Sequence, residues 1–134
     1  MVHYLGVEEI LLIHSLIIDE TGGSHGVRDR HALQSLAESP RQSAFGNELY
    51  PTLFHKAAVY VRNIIHFHPF VDGNKRSAMT TASIFPEEND FVVTAIEGEI
   101  EEFALRVGAQ KMEINEIAVW LKRHSKKAET KEKI

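Results

Sequence analysis

Apolar residues recur at helical spacing along most of the 134-residue chain, which favours a helical bundle over a sheet. A dense Ile and Leu segment at 8–21 ends at two glycines, as is typical of a helix C-terminus. Further helical stripes occur near 29–39, 52–65, 72–85, 97–107 and 114–121. We therefore predict an all-α domain, a compact bundle of about six helices.

Several local signals indicate where these helices begin and end. Asp29 is a candidate N-cap of the second helix. Thr94 and Glu97 have the spacing of a capping box before the fifth helix. Pro86 is expected to stop or kink the helix over 72–85, because proline lacks the amide hydrogen that an α-helix needs.

The chain between the second and third predicted helices breaks the helical pattern. Gly46-Asn47 is a turn signal between apolar residues, and it predicts a small β-hairpin or flap within 43–51. On the helix that follows, the apolar stripe leaves four polar residues on the other face, namely His55, Arg62, Asn63 and His66.

Composition and charge exclude several classes of function. The chain has no cysteine, which excludes disulfides, thiolate catalysis and cysteine-ligated metals. Its net charge of −4 argues against direct nucleic-acid binding. The longest apolar run, 10–18, is too short to span a membrane, and we expect a cytoplasmic protein. No linker is visible, so we expect one domain over 1–124 and a charged, disordered tail at 125–134.

One segment, 66–76, combines the side chains from which a reaction centre can be built. Gly73 stands where a helix begins, so the amides of 73–75 would be donors at the positive end of the helix dipole. Such a site suits phosphate, and Lys75 and Arg76 add full positive charge.

Two further residues of this segment carry chemistry beside a phosphate. Asp72 would hold Mg²⁺ next to a polyphosphate, and the imidazole of His68 would serve as a base at neutral pH. Plainer interpretations compete. Asp72 can be an N-cap only, and His66 and His68 could join His55 as zinc ligands, although no HExxH motif accompanies them.

Residues 68–76, His-Pro-Phe-Val-Asp-Gly-Asn-Lys-Arg, closely resemble the Fic/Doc family signature, His-Pro-Phe-x-(Asp/Glu)-Gly-Asn-(Gly/Lys)-Arg. Segments 26–29, 49–52, 56–58 and 116–121 also resemble the death-on-curing (Doc) branch. The resemblance implies a compact helical bundle that transfers a phosphorus-containing group from ATP to a hydroxyl of a protein.

The resemblance also implies a role for each site residue. His68 takes the proton from the target hydroxyl, Asp72 holds Mg²⁺, and Phe70 anchors the loop in the core. The flap aligns the target segment as an added strand. The phosphates of ATP are bound by Gly73, Asn74, Lys75 and Arg76.

Two positions bear on the reaction. AMP-transferring Fic proteins usually have glycine at the position of Lys75 and a second arginine at the position of Met79. Both residues here resemble Doc, which transfers the γ-phosphate to a threonine of elongation factor Tu and arrests translation.

No inhibitory Ser/Thr-x-x-x-Glu-Gly/Asn motif occurs, so the resemblance implies a toxin neutralised by a Phd-like antitoxin in trans. An AMP transferase and a non-catalytic Fic-fold binding module remain alternatives.

Overall fold

The computed structural model describes residues 1–129, and it confirms the all-α prediction. Within this range the fold has six α-helices, one short 3-10 helix and two small antiparallel strand pairs. In chain order the elements are α1 (Val7–Thr21), α2 (Arg30–Glu38), the 3-10 helix (Ser39–Arg41), β1 (Ser43–Ala44), β2 (Asn47–Glu48), α3 (Leu53–Phe67), α4 (Asn74–Glu87), β3 (Phe91–Val93), α5 (Glu97–Gln110), α6 (Ile114–Arg123) and β4 (Ser125–Lys127). No helix in the described range is long and apolar enough to cross a membrane.

Helix α3 forms the centre of the bundle, with α4 and α6 packed against it. Its apolar stripe is buried as predicted, but the opposite face is not a solvent face. Asn63 is only 6% exposed, and Lys56 and Tyr60 are also buried. A helix enclosed by neighbours on several sides buries polar residues that a two-sided pattern assigns to solvent.

Aromatic pairs connect α3 and α5 to the elements around them. The Tyr60 and Phe85 ring centroids lie 5.0 Å apart, and those of Phe54 and Phe91 lie 5.1 Å apart. The Phe103 ring stacks on Trp120 at 3.8 Å. Burying a side chain of this size contributes about 1.5–3 kcal/mol, so these pairs stabilise the packing of α3 and α5 against their neighbours.

The predicted helix ends are confirmed in α2 and wrong in α5. Asp29 caps α2, since its Oδ1 accepts a 3.0 Å hydrogen bond from the amide of Ala32. The Thr94 capping box does not form, because the Thr94 amide donates to the carbonyl of His124 at 2.6 Å and extends the β3–β4 pair. Helix α5 instead begins at Glu97, after Ile96.

Proline at position 86 ends α4 slightly later than predicted. The helix runs from Asn74 to Glu87, with Pro86 in its last turn. A proline there removes one backbone hydrogen bond without breaking the turns before it.

The predicted hairpin is present, with its turn one residue earlier than the sequence signal. Ser43 pairs with Glu48, and Ala44 pairs with Asn47. The turn residues are Phe45 and Gly46, with φ of 54° and 82°. Positive φ at both positions matches the right-handed twist of the two strands.

The segment 125–127 differs from the disordered tail that the charge pattern predicts. It forms β4, which pairs antiparallel with β3 in the register Phe91 to Lys127 and Val93 to Ser125. Backbone hydrogen bonds hold this strand, so its lysine side chains do not prevent pairing. Residues 130–134 of the expected tail lie outside the described residues.

Candidate active site

The turn between α3 and α4 carries most of the predicted site. His68 ends α3 with φ of 49°, and Gly73 precedes α4 with φ of 76°. Between them Phe70 is 1% exposed, whereas His68 is exposed. The turn therefore anchors itself in the core and leaves the imidazole side chain accessible.

Phe70, to which the resemblance assigns the role of loop anchor, is buried beneath the turn. Its ring stacks on His14 with centroids 3.8 Å apart and planes 4° apart. The Asn74 side chain accepts from the Phe70 amide at 3.0 Å and donates to the Phe70 carbonyl at 2.9 Å. The Asn74 side chain therefore closes the turn, which leaves only the backbone amide of Asn74 for the phosphate contact that the resemblance implies.

Asp72 is held by backbone amides from two segments. Its Oδ2 accepts from the Ser24 amide at 3.2 Å, and its Oδ1 accepts from the Gly73 amide at 2.8 Å. These hydrogen bonds favour the charged carboxylate and lower the pKa of Asp72. The bond from Ser24 has the largest effect, and the bond from Gly73 has the next largest. The N-cap interpretation of Asp72 is wrong, because Gly73 is the N-cap residue and no described side chain caps α4.

The Asp72 carboxylate has the chemistry and the exposure that a magnesium ligand needs. It is half-exposed, ionised at neutral pH, and has oxygen lone pairs beyond those that the two amides use. Mg²⁺ commonly joins one or two carboxylates to substrate phosphates. Among residues 1–129 no group of three acidic or histidine side chains could hold a metal by itself.

The first turn of α4 presents Lys75 to solvent and Arg76 to α1. Lys75 is exposed, whereas the Arg76 guanidinium donates to the hydroxyl of Thr21 and, at 3.0 Å, to the carbonyl of Gly22. Its Nη2 also lies 3.7 Å from Asp72 Oδ1. The amide of Gly73 is occupied by Asp72, so the donors that this helix end offers begin at Asn74.

A cleft of about 910 Å³ adjoins this helix end. It lies between α1, α4 and α5, and Lys75 and Arg76 form part of its wall. The other lining residues are Ile17, Glu20, Thr21, Met79, Thr80, Glu97, Ile100, Glu101, Ala104 and Leu105. It is large enough for a ligand of nucleotide size.

The zinc interpretation of the histidines has no support in the described part of the chain. His55 Nε2 shares a 2.9 Å hydrogen bond with Asn115, and His66 Nε2 donates to the Val107 carbonyl at 3.1 Å. The Nε2 atoms of the two histidines are therefore used in contacts between helices.

Two residues that no sequence motif marks as part of the site, His14 and Arg28, support the turn. His14 Nε2 donates to the Asp72 carbonyl at 2.7 Å, and burial lowers the pKa of His14. Arg28 donates to the carbonyls of Phe67 and His68. The only sequence signals are a histidine inside an Ile/Leu stripe and an arginine in a segment that resembles Doc.

Comparison with known proteins identifies the family. The Fic/DOC family model matches residues 4–85, which span α1 to α4 and contain the whole turn. The chain belongs to the Fic/Doc family. Toxin Doc of Mycolicibacterium smegmatis is 34% identical over 112 residues, which cover 79% of this Fic/Doc chain and 84% of that protein. Protein kinase doc of Escherichia phage P1 is 29% identical over 108 residues, which cover 72% of this chain and 85% of that protein.

Proposed function

We propose that this Fic/Doc protein is a Doc-like toxin that transfers the γ-phosphate of ATP to a Ser/Thr hydroxyl of a target protein. The observation that carries the proposal is that three groups lie at the junction of α3 and α4. These are the exposed His68, the ionised Asp72 carboxylate and the uncapped N-terminus of α4 with Lys75. The phage P1 relative is named a protein kinase, which favours phosphate transfer.

The proposed reaction moves one proton and one phosphoryl group. His68 takes the proton from the target hydroxyl, whose oxygen forms a bond to the γ-phosphorus. The bond from that phosphorus to the β–γ bridging oxygen breaks, and ADP leaves with the electron pair. Lys75 and the first amides of α4 hold the phosphates, and Asp72 would hold Mg²⁺. Mg²⁺, when bound, supplies charge neutralisation, which is the main requirement of such a transfer.

Lys75 and Met79 favour γ-phosphate transfer over AMP transfer. Both side chains line the cleft beside the turn. The Lys75 ammonium occupies space that glycine would leave open, and the Met79 thioether carries no charge for a far phosphate. AMP transfer is the second candidate, since the family signature serves both reactions. The intact set from His68 to Arg76 argues against a non-catalytic binding module.

By this proposal the target is elongation factor Tu in the cytoplasm, and the hairpin would receive the target segment as an added strand. The flap is tied to the bundle by a buried lysine. Lys56 Nζ donates at 2.6 Å to both Glu48 Oε1 and the Tyr50 carbonyl. This anchoring supports a docking role, because a held strand loses less entropy when a partner pairs with it.

A Phd-like antitoxin is the proposed partner in trans. Its C-terminal segment would fold into a helix against an apolar groove on the toxin, with buried area offsetting the ordering cost. The cleft between α1, α4 and α5 offers such a surface, and Ile17, Ile100 and Leu105 contribute apolar wall.

Expression in bacterial cells tests the toxin proposal. The protein alone should arrest growth and amino-acid incorporation, and co-expression of the small gene beside it should restore both. His68→Ala should lose the effect, because general-base catalysis is worth about 10²–10⁴-fold. His31→Ala, which changes an exposed histidine on α2, is the matched control and should stay toxic. Normal growth with abundant folded protein would contradict the toxin proposal.

A further inference from the structure

We infer that Arg28 is a positioning residue for the proposed base, because its side chain fixes the backbone that carries His68. Arg28 Nε donates to the His68 carbonyl at 2.7 Å, and Nη2 donates to the Phe67 carbonyl at 2.6 Å. The two residues are 40 positions apart in the chain. For its kinetic part this inference rests on the proposed function.

The acceptors are the carbonyls at the end of α3, which the helix itself leaves without partners. They form the negative end of the helix dipole, so a guanidinium is favoured there by charge as well as by hydrogen bonding. A planar fork reaches two adjacent carbonyls at once, whereas a lysine ammonium acts as a point charge.

The backbone on either side of Arg28 also forms hydrogen bonds with the α3–α4 turn. The amides of Arg28 and Asp29 donate to the Pro69 carbonyl at 2.7 and 3.1 Å, and the Val71 amide donates to the Gly26 carbonyl at 3.0 Å. The carbonyls at 67, 68 and 69 therefore all accept from residues 28 and 29.

His68 needs such support because of its backbone conformation. Its φ of 49° and ψ of 60° are left-handed, a conformation that is unfavourable for a residue with a Cβ. Its amide is bonded to the Ile64 carbonyl at 3.3 Å, so Arg28 fixes the other side of the residue. Strained residues persist where the surroundings over-determine them.

Steady-state kinetics distinguish a role of Arg28 in positioning His68 from a role in binding substrate. Arg28→Ala should lower kcat by about 100-fold, the effect of a misplacement of about 1 Å, with the KM for ATP unchanged. Arg28→Lys should recover only part of the loss. Free guanidinium ion, below concentrations that unfold the protein, should restore Arg28→Ala, because Arg28 is exposed and the ion can enter its place. It should not restore His68→Ala.

Arg30→Ala is the matched control, since Arg30 is an exposed arginine two residues away on α2. It should keep the parental kcat. A rise in KM with kcat retained in Arg28→Ala, or no rescue by guanidinium, would overturn the inference.

Hydrogen exchange gives a readout that does not depend on turnover. Amides of His68 and Val71 should lose protection in Arg28→Ala and keep it in Arg30→Ala. Unchanged protection in Arg28→Ala would overturn the inference whether or not the enzyme transfers phosphate. An inactive wild-type protein with this exchange pattern would instead contradict the proposed function alone.

Discussion

His14 on α1 and Asp72 in the α3–α4 turn are joined by a 2.7 Å hydrogen bond from Nε2 to the backbone carbonyl. Because a carbonyl only accepts, the Nε2 atom carries the hydrogen. The same ring stacks on Phe70 and is 3% exposed. One buried side chain thus holds the anchor of the turn and the backbone of the proposed magnesium ligand.

The first prediction concerns acid stability. Burial lowers the pKa of His14 below 6.5, so the unfolded chain binds the proton more readily. The stability that His14 contributes is complete above pH 6.5 and is lost as the pH falls through the lowered pKa. Between about pH 7.5 and about pH 5, the urea midpoint should fall further for the wild type than for His14→Gln. Parallel decreases would contradict this.

The second prediction concerns alkaline stability. The Tyr60 hydroxyl accepts from the Leu5 amide at 2.9 Å and donates to the Leu5 carbonyl at 3.0 Å. Tyr60→Phe leaves both groups without that partner and should cost about 1–3 kcal/mol in urea unfolding. Burial raises the pKa of Tyr60 from 10.0 to about 12, so its contribution is full below pH 10 and is lost as the pH rises through 12. The difference between wild type and Tyr60→Phe should therefore shrink above pH 10.

The third prediction concerns the flap. Lys56→Met removes the donor to Glu48 and to the Tyr50 carbonyl but keeps most of the side-chain volume. Stability should fall by about 1–3 kcal/mol, since an acceptor is left without its partner. Exchange at amides 43–50 should rise. Lys122→Met, at an exposed lysine on α6, should change neither quantity. Equal flap protection in both variants would rule out the anchoring role of Lys56.

The fourth prediction concerns the metal. Asp72→Asn removes the charge that the Ser24 and Gly73 amides stabilise but retains one side-chain acceptor. The fold should persist in circular dichroism, while more Mg²⁺ should be needed for half-maximal transfer. An unchanged Mg²⁺ requirement would show that Asp72 does not bind the metal.

The sequence predicts the helices well because each has its own apolar stripe, as in α3 and α6. It does not predict β4. Ser125–Lys127 has no apolar alternation, and the strand exists because α6 brings its backbone alongside Phe91–Val93. Thr94 shows the same limit, since a tertiary hydrogen bond to His124 overrides its local capping signal.

The site is predictable as a set of residues and less so as a set of contacts. The signature locates His68, Asp72 and Lys75 in one turn, because contiguous residues must stay close. It does not indicate that the Asn74 side chain closes the turn or that Arg28 reaches it from a distant loop. The Asn74 contact is made within the turn itself, to the backbone of Phe70. The Arg28 contact depends on how the segment between α1 and α2 docks, which short-range patterns do not encode.

Parallel reactions with ATP labelled at the α- or the γ-phosphate distinguish γ-phosphate transfer from AMP transfer. The purified protein, Mg²⁺ and elongation factor Tu or a bacterial lysate would be incubated with each form, with His68→Ala as the blank. We predict protein-bound label from γ-labelled ATP only. Protein-bound label from α-labelled ATP, with none from the γ form, would contradict it and favour AMP transfer.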